Sequence, residues 1–138
     1  MSDDLIRRFE DGTLPASEFR HRQHVRVAWM YLKEGSPLAA LARFIEGLKR
    51  FAERIGRPDV YHETTTWAYL LLIQERMARA GYGETWEEFE ARNPDIFVCK
   101  PSVLDAYYRE ETLGSELARR VFVMPDRNCG TPSRGEVR

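Results

Sequence analysis

The three histidines are the residues whose type and spacing point most directly to chemistry. His21 and His24 are three positions apart, and His62 lies in a separate segment. Side chains three apart on an α-helix share a face, so the first pair can approach a common point. Neutral imidazole commonly binds zinc, iron or copper, and three histidines with an open fourth position make a catalytic type of metal site. The pattern therefore predicts a divalent transition metal held by His21, His24 and His62.

Glu63 is the candidate catalytic residue beside this predicted metal. It follows His62 directly and, on a helix, would point about 100° away from it, so it is expected near the metal rather than on it. A carboxylate there can act as general base toward a metal-activated water. These residues predict a small metal-dependent hydrolase. They agree equally well with an oxygenase that uses a redox metal and dioxygen.

A non-enzymatic module is the competing interpretation. A histidine on an apolar helix face often serves only as a core residue that is hydrogen-bonded to a carbonyl or hydroxyl group. The chain would then be a small-ligand-binding or homodimerisation module, with exposed apolar residues such as Met30 marking the partner surface. The sequence contains no HExxH motif, which would favour the metal strongly. Both interpretations, and the question whether the chain is an enzyme, therefore stay open.

Helices must position these residues, because glycine and proline punctuate a series of segments with helical periodicity. Ser36 and Pro37 are typical of a helix start, and Gly56 of a helix end. The pattern predicts an all-α, single-domain bundle of five to seven helices over residues 1–125, followed by a flexible polar tail over 126–138. The predicted framework consists of helices at about 20–34, 37–55 and 61–80; shorter helices are expected at about 3–10, 85–93, 101–109 and 112–123.

The topology brings the histidines to one end of this bundle. Short connections make neighbouring helices antiparallel, so the first and third framework helices begin at the same end. At about 100° per residue, His21 lies in line with Val25 on the apolar stripe of its helix, and His24 lies at the edge of that stripe. His62 aligns in the same way with Tyr69. The three rings are therefore expected to converge on the core.

Composition excludes several classes of function. The chain has 138 residues, 43% of them hydrophobic, with 21 basic and 22 acidic residues; this predicts one folded domain without the strongly basic surface of a nucleic-acid-binding protein. Residues 1–10 lack the apolar segment of a secretory signal, and the nearly uncharged run from Thr64 to Ile73 is too short to cross a bilayer. Cys99 and Cys129 do not form a disulfide framework, and Cys99 is expected to be a buried thiol. A cytoplasmic protein with no membrane partner is predicted.

Three segments of the chain are similar to sequences of a known protein family: EFRHRQHVRVAWMYL, YHETTTWAYLLLI and KPSVLDAYYREETLGSELARRVFVMPD. They resemble a family of small uncharacterised bacterial all-helical proteins with no established activity. The likeness extends from about Phe9 to Arg127. It implies a compact soluble domain and transfers no catalytic residue to this chain.

Overall fold

A computed structural model describes the backbone of residues 2–127, and the side chains of residues 4–127. Within these residues the chain forms seven α-helices and no strand, which confirms the all-α prediction. The helices are α1 (Ser2–Asp11), α2 (His21–Glu34), α3 (Pro37–Arg54), α4 (Glu63–Arg79), α5 (Trp86–Arg92), α6 (Glu110–Leu113) and α7 (Glu116–Arg120). Short 3-10 turns connect several of them, including Pro94–Phe97 and Val103–Ala106.

The helix boundaries follow from local chemistry. The Ser36 hydroxyl accepts a hydrogen bond from the Ala39 amide at 3.2 Å, and Pro37 occupies the first position of α3. Beyond the end of α3, Gly56 has a φ of 74°, a conformation that favours glycine. At the start of α5, Thr85 and Glu88 form the reciprocal hydrogen bonds of a capping box. These caps satisfy amide groups that no helix can pair internally.

Helices α2, α3 and α4 pack on one another and form the framework that positions the site. Helix α2 is the most deeply enclosed, with a continuous buried run from Val27 to Leu32. Met30 belongs to this run and is only 9% exposed. The expectation that Met30 marks an exposed partner surface is therefore wrong, because this side of α2 also faces the core.

Helix α1 is packed tightly against α3 at a glycine. A Cβ atom on Gly47 would lie 2.3 Å from Cε2 of Phe9, far inside any normal contact distance. Phe9 is 2% exposed and also contacts the ring of Phe19, with centroids 5.0 Å apart. Gly47 thus provides the space that lets the aromatic cluster under α1 close onto the framework.

The C-terminal part differs from the two helices expected there. The 3-10 turn Val103–Ala106 and the short helices α6 and α7 replace them. Beyond α7 the chain runs back over the bundle, where the backbone amides of Asp126 and Arg127 donate to the carbonyl of Tyr107 at 3.1 and 2.9 Å. The remainder of the predicted tail, including Cys129, lies outside the described residues.

Two further expectations concern exposure and membranes. Cys99 is exposed, so the prediction of a buried thiol is wrong. It lies in the irregular segment after the 3-10 turn Pro94–Phe97, where exposed residues flank it on both sides. Across residues 2–127, no helix combines the length and the apolar character needed to cross a membrane.

Candidate functional site

A cavity of about 230 Å³ lies between α2, α3 and α4. Its deep part is apolar and buried, whereas its mouth carries half-buried side chains, among them both histidines of α2. The buried lining residues are Val25, Ala28, Phe44, Thr66 and Ile73, and the half-buried ones are His21, His24, Leu48, Thr65 and Tyr69. A cavity with an apolar floor and a few polar groups at one end is the usual form of a small-molecule site.

His21 begins α2 and lies at the contact between α2 and α4. Its ring meets Tyr69 edge to face, with centroids 5.1 Å apart. Nε2 lies 2.7 Å from the carbonyl oxygen of Ile96, and because a carbonyl only accepts, Nε2 is the donor. In neutral His21, Nδ1 therefore keeps its lone pair, and no group among the described residues hydrogen-bonds to it.

His24 is placed one turn further along the same helix. Its Nδ1 donates to the carbonyl oxygen of Arg20 at 2.7 Å, and its ring stacks on Phe19 with centroids 4.0 Å apart. Burial lowers the pKa of His24 to about 4; the hydrogen bond to Arg20 opposes this change, and the nearby His21 adds to it. The ring is thus uncharged at pH 7, and Nε2 carries a lone pair without a partner in the described part of the chain.

His62 caps α4 and contacts α6. It is the N-cap residue of α4, with φ −132° and ψ 112°, and its Nδ1 accepts a hydrogen bond from the Thr65 amide at 3.0 Å. Nε2 donates to the carbonyl oxygen of Leu113 in α6 at 2.7 Å. Both ring nitrogens therefore have partners, and the ring is not among the residues that line the cavity.

Glu63 is also engaged outside the cavity. The hydroxyl of Tyr61 donates to Oε1 at 2.7 Å, and the indole Nε1 of Trp67 donates to Oε2 at 3.1 Å. Burial raises the pKa of Tyr61, and the hydrogen bond to Glu63 raises it further. The carboxylate thus links the loop before α4 to the second turn of that helix.

The structure brings two of the three predicted ligands together at the cavity. His21 and His24 both line it, while His62 and Glu63 do not. Within residues 4–127, no group of three or more histidine, cysteine, aspartate or glutamate side chains is arranged to hold a metal ion. The three-histidine metal site stays a prediction, and it would require His62 to give up one of its two hydrogen bonds.

Sequence reasoning missed the contributions of α3 and Tyr69 to this site. Phe44 and Leu48 close the cavity on the α3 side. The hydroxyl of Tyr69 lies 2.9 Å from that of Ser102, and burial raises the pKa of this tyrosine. Helical periodicity could have identified Tyr69 as a site residue. It places Tyr69 on the inner stripe of α4, and therefore opposite the start of α2.

No protein-family model, curated protein or solved structure matches the chain. The resemblance to a family of small bacterial proteins therefore stays a prediction. The chemistry of the cavity is the remaining basis for assigning a function.

Proposed function

We propose that this domain binds a small molecule in the cavity between α2, α3 and α4, without itself being an enzyme. The observation that carries the proposal is the combination of an apolar floor with two histidines that each keep one ring nitrogen unpaired. Such a floor provides hydrophobic affinity, and the unpaired nitrogens provide orientation. Neither nitrogen is among the fully buried unpaired atoms of the described side chains, so a ligand at the mouth would replace water as their partner.

The size of the cavity limits the ligand. A dry protein cavity of about 150 Å³ holds one benzene molecule. A volume of about 230 Å³ then accommodates one ring with a few substituents, or on the order of ten non-hydrogen atoms by the same scaling. A nucleotide or a dinucleotide cofactor is too large for this space.

The contacts of His62 and Glu63 favour binding over the metal-dependent hydrolase or oxygenase. To join a metal, His62 would have to leave either the Thr65 amide or the Leu113 carbonyl without its partner. An unsatisfied buried polar group costs about 1–3 kcal/mol. Glu63 does not line the cavity that His21 and His24 share, so a role as general base there would also require rearrangement.

The test is whether small aromatic molecules bind at this cavity. We expect toluene and p-cresol to raise the thermal midpoint of the wild-type protein and to give saturation-transfer NMR signals. Ala28→Leu should weaken both effects, because Ala28 is fully buried and lines the cavity. Thr65→Trp provides a second block at the half-buried mouth, in case the added volume at Ala28 disturbs folding. Ala39→Leu, at an exposed position of α3, is the matched control.

Two results would overturn the proposal. The first is that neither compound binds the wild-type protein, or that both bind equally well to the two blocked variants. The second is that zinc alone raises the midpoint at stoichiometric amounts and that His62→Ala abolishes this effect. The second result would replace the binding module with the three-histidine metal site.

A further inference from the structure

Each of the two cavity histidines donates its N–H hydrogen to a backbone carbonyl. His21 donates from Nε2 to the carbonyl of Ile96, and His24 donates from Nδ1 to the carbonyl of Arg20, both at 2.7 Å. A neutral imidazole has one donor and one acceptor nitrogen. The nitrogens left over, Nδ1 of His21 and Nε2 of His24, can therefore only accept a hydrogen bond.

The surroundings keep His24 uncharged. It lies in the first turn of α2, where the positive end of the helix dipole disfavours an imidazolium ion. His24 stacks on the buried ring of Phe19, and burial there holds its pKa at about 4. A proton from solvent does not convert this acceptor into a donor at neutral pH.

The other polar side chains that line the cavity are uncharged hydroxyl groups. The hydroxyl of Thr66 donates to the backbone carbonyl of His62 at 2.7 Å, and the hydroxyl of Tyr69 is paired with that of Ser102. The described lining residues include no lysine or arginine. A carboxylate entering this cavity would lose its hydration without gaining a cation, which is strongly unfavourable.

We infer that the ligand is an uncharged hydrogen-bond donor on a compact apolar body, such as a phenol, an indole or an N–H azole. This inference rests on the proposed function. The apolar ring packs against the buried floor formed by Phe44 and Ile73, and the single O–H or N–H hydrogen is donated to one of the two acceptor nitrogens at the mouth, on His21 or on His24. The same arrangement excludes aromatic carboxylates of equal size.

Three compounds that share one methylated ring test this class. p-Cresol carries a donor, 4-methylanisole replaces the donor hydrogen with a methyl group, and 4-methylbenzoate carries a negative charge. We expect p-cresol to bind the wild-type protein about tenfold more tightly than 4-methylanisole, which corresponds to one net hydrogen bond of about 1.4 kcal/mol. 4-Methylbenzoate should show no binding at pH 7.5 in the same calorimetric or NMR titration.

Substitution of the acceptors provides the second arm of the test. His24→Phe retains a ring that can stack on Phe19 but removes one acceptor, and His21→Phe removes the other. The variant that lacks the acceptor used by the ligand should reduce the preference for p-cresol over toluene to less than twofold, and a preference that survives in both variants would overturn the inference. Binding by the more hydrophobic toluene then serves as an internal check that the cavity is still present.

The outcomes separate this inference from the proposed function. Equal affinities of p-cresol, 4-methylanisole and toluene for the wild-type protein would overturn the donor requirement and leave the binding cavity in place. Tight binding of 4-methylbenzoate would overturn the exclusion of anions. Failure of all four compounds to bind would refute the proposed function itself.

Discussion

Replacing His62 by alanine tests whether this histidine stabilises the fold or serves a metal. The ring holds the start of α4 through the Thr65 amide and ties it to α6 through the Leu113 carbonyl. Loss of an N-cap side chain costs about 1 kcal/mol. A carbonyl left without its donor costs about 1–3 kcal/mol, with the low end expected here because water can reach the half-buried Leu113. The expected total is about 2–3 kcal/mol.

The assay is urea denaturation followed by circular dichroism at pH 7, with thermal unfolding in parallel. A loss of about 2–3 kcal/mol should lower the thermal midpoint by about 10 °C in a domain of this size. His62→Asn is the matched variant, because asparagine is a good N-cap residue but too short to reach α6. It should recover about 1 kcal/mol, which separates the cap from the contact with Leu113.

The reasoning is refuted if His62→Ala unfolds within about 0.5 kcal/mol of the wild-type protein in the absence of metal, since most surface substitutions have effects of that size. If His62→Ala instead matches the wild-type protein without metal and loses a stabilisation that added zinc confers on the wild type, the ring acts as a ligand. The same pair of measurements therefore decides between the two roles.

Three further predictions concern other parts of the fold. Gly47→Ala should lower the free energy of unfolding by about 1–3 kcal/mol, because its Cβ would meet Phe9 at 2.3 Å; Phe9→Leu should recover part of this loss in urea denaturation. Glu10→Ala should cost about 1–2 kcal/mol, because the buried Tyr31 hydroxyl donates to Glu10 at 2.6 Å. Burial raises the pKa of Glu10, but hydrogen bonds from Tyr31 and an arginine outweigh this effect and lower the pKa below 4.5. The ionised carboxylate therefore stabilises the folded state. The wild-type protein should lose this stabilisation as the pH falls below 4.5, whereas Glu10→Ala should not. The pKa of His24 is about 4 in the folded protein and ordinarily 6.5. As the pH falls, the unfolded chain therefore takes up the proton first, and the free energy of unfolding should fall by up to about 3 kcal/mol between pH 6.5 and pH 4. Unfolding curves of His24→Phe should lack this pH dependence.

The framework helices could be predicted because their ends depend on neighbouring residues in the sequence. The Ser36–Pro37 start of α3, the Gly56 stop and the Thr85–Glu88 capping box all appear in the structure as expected. The apolar stripe of α2 is likewise local information, and it correctly places His21 beside the core.

The C-terminal region could not be predicted in the same way, because its conformation depends on distant contacts. The hydroxyl of Thr64 donates to the carbonyl of Val121 and accepts from the amide of Val123, residues more than fifty positions away. The Tyr108 hydroxyl adds a bond to the Val123 carbonyl at 2.7 Å. These contacts hold the segment after α7 extended against α4, where the local pattern alone favours a longer helix.

The separation of His62 from the other histidines has one physical cause, which is the residue at which α4 begins. The rule of about 100° per residue applies only to residues with helical backbone angles. His21 is the first helical residue of α2, so the rule places its ring correctly against Tyr69. His62 precedes α4 with φ −132° and ψ 112°, and this extended conformation directs its ring back to the Thr65 amide rather than along the inner stripe. Because α4 begins at Glu63 rather than at about residue 61, His62 caps this helix, and His21 and His24 form a pair of acceptors at the cavity.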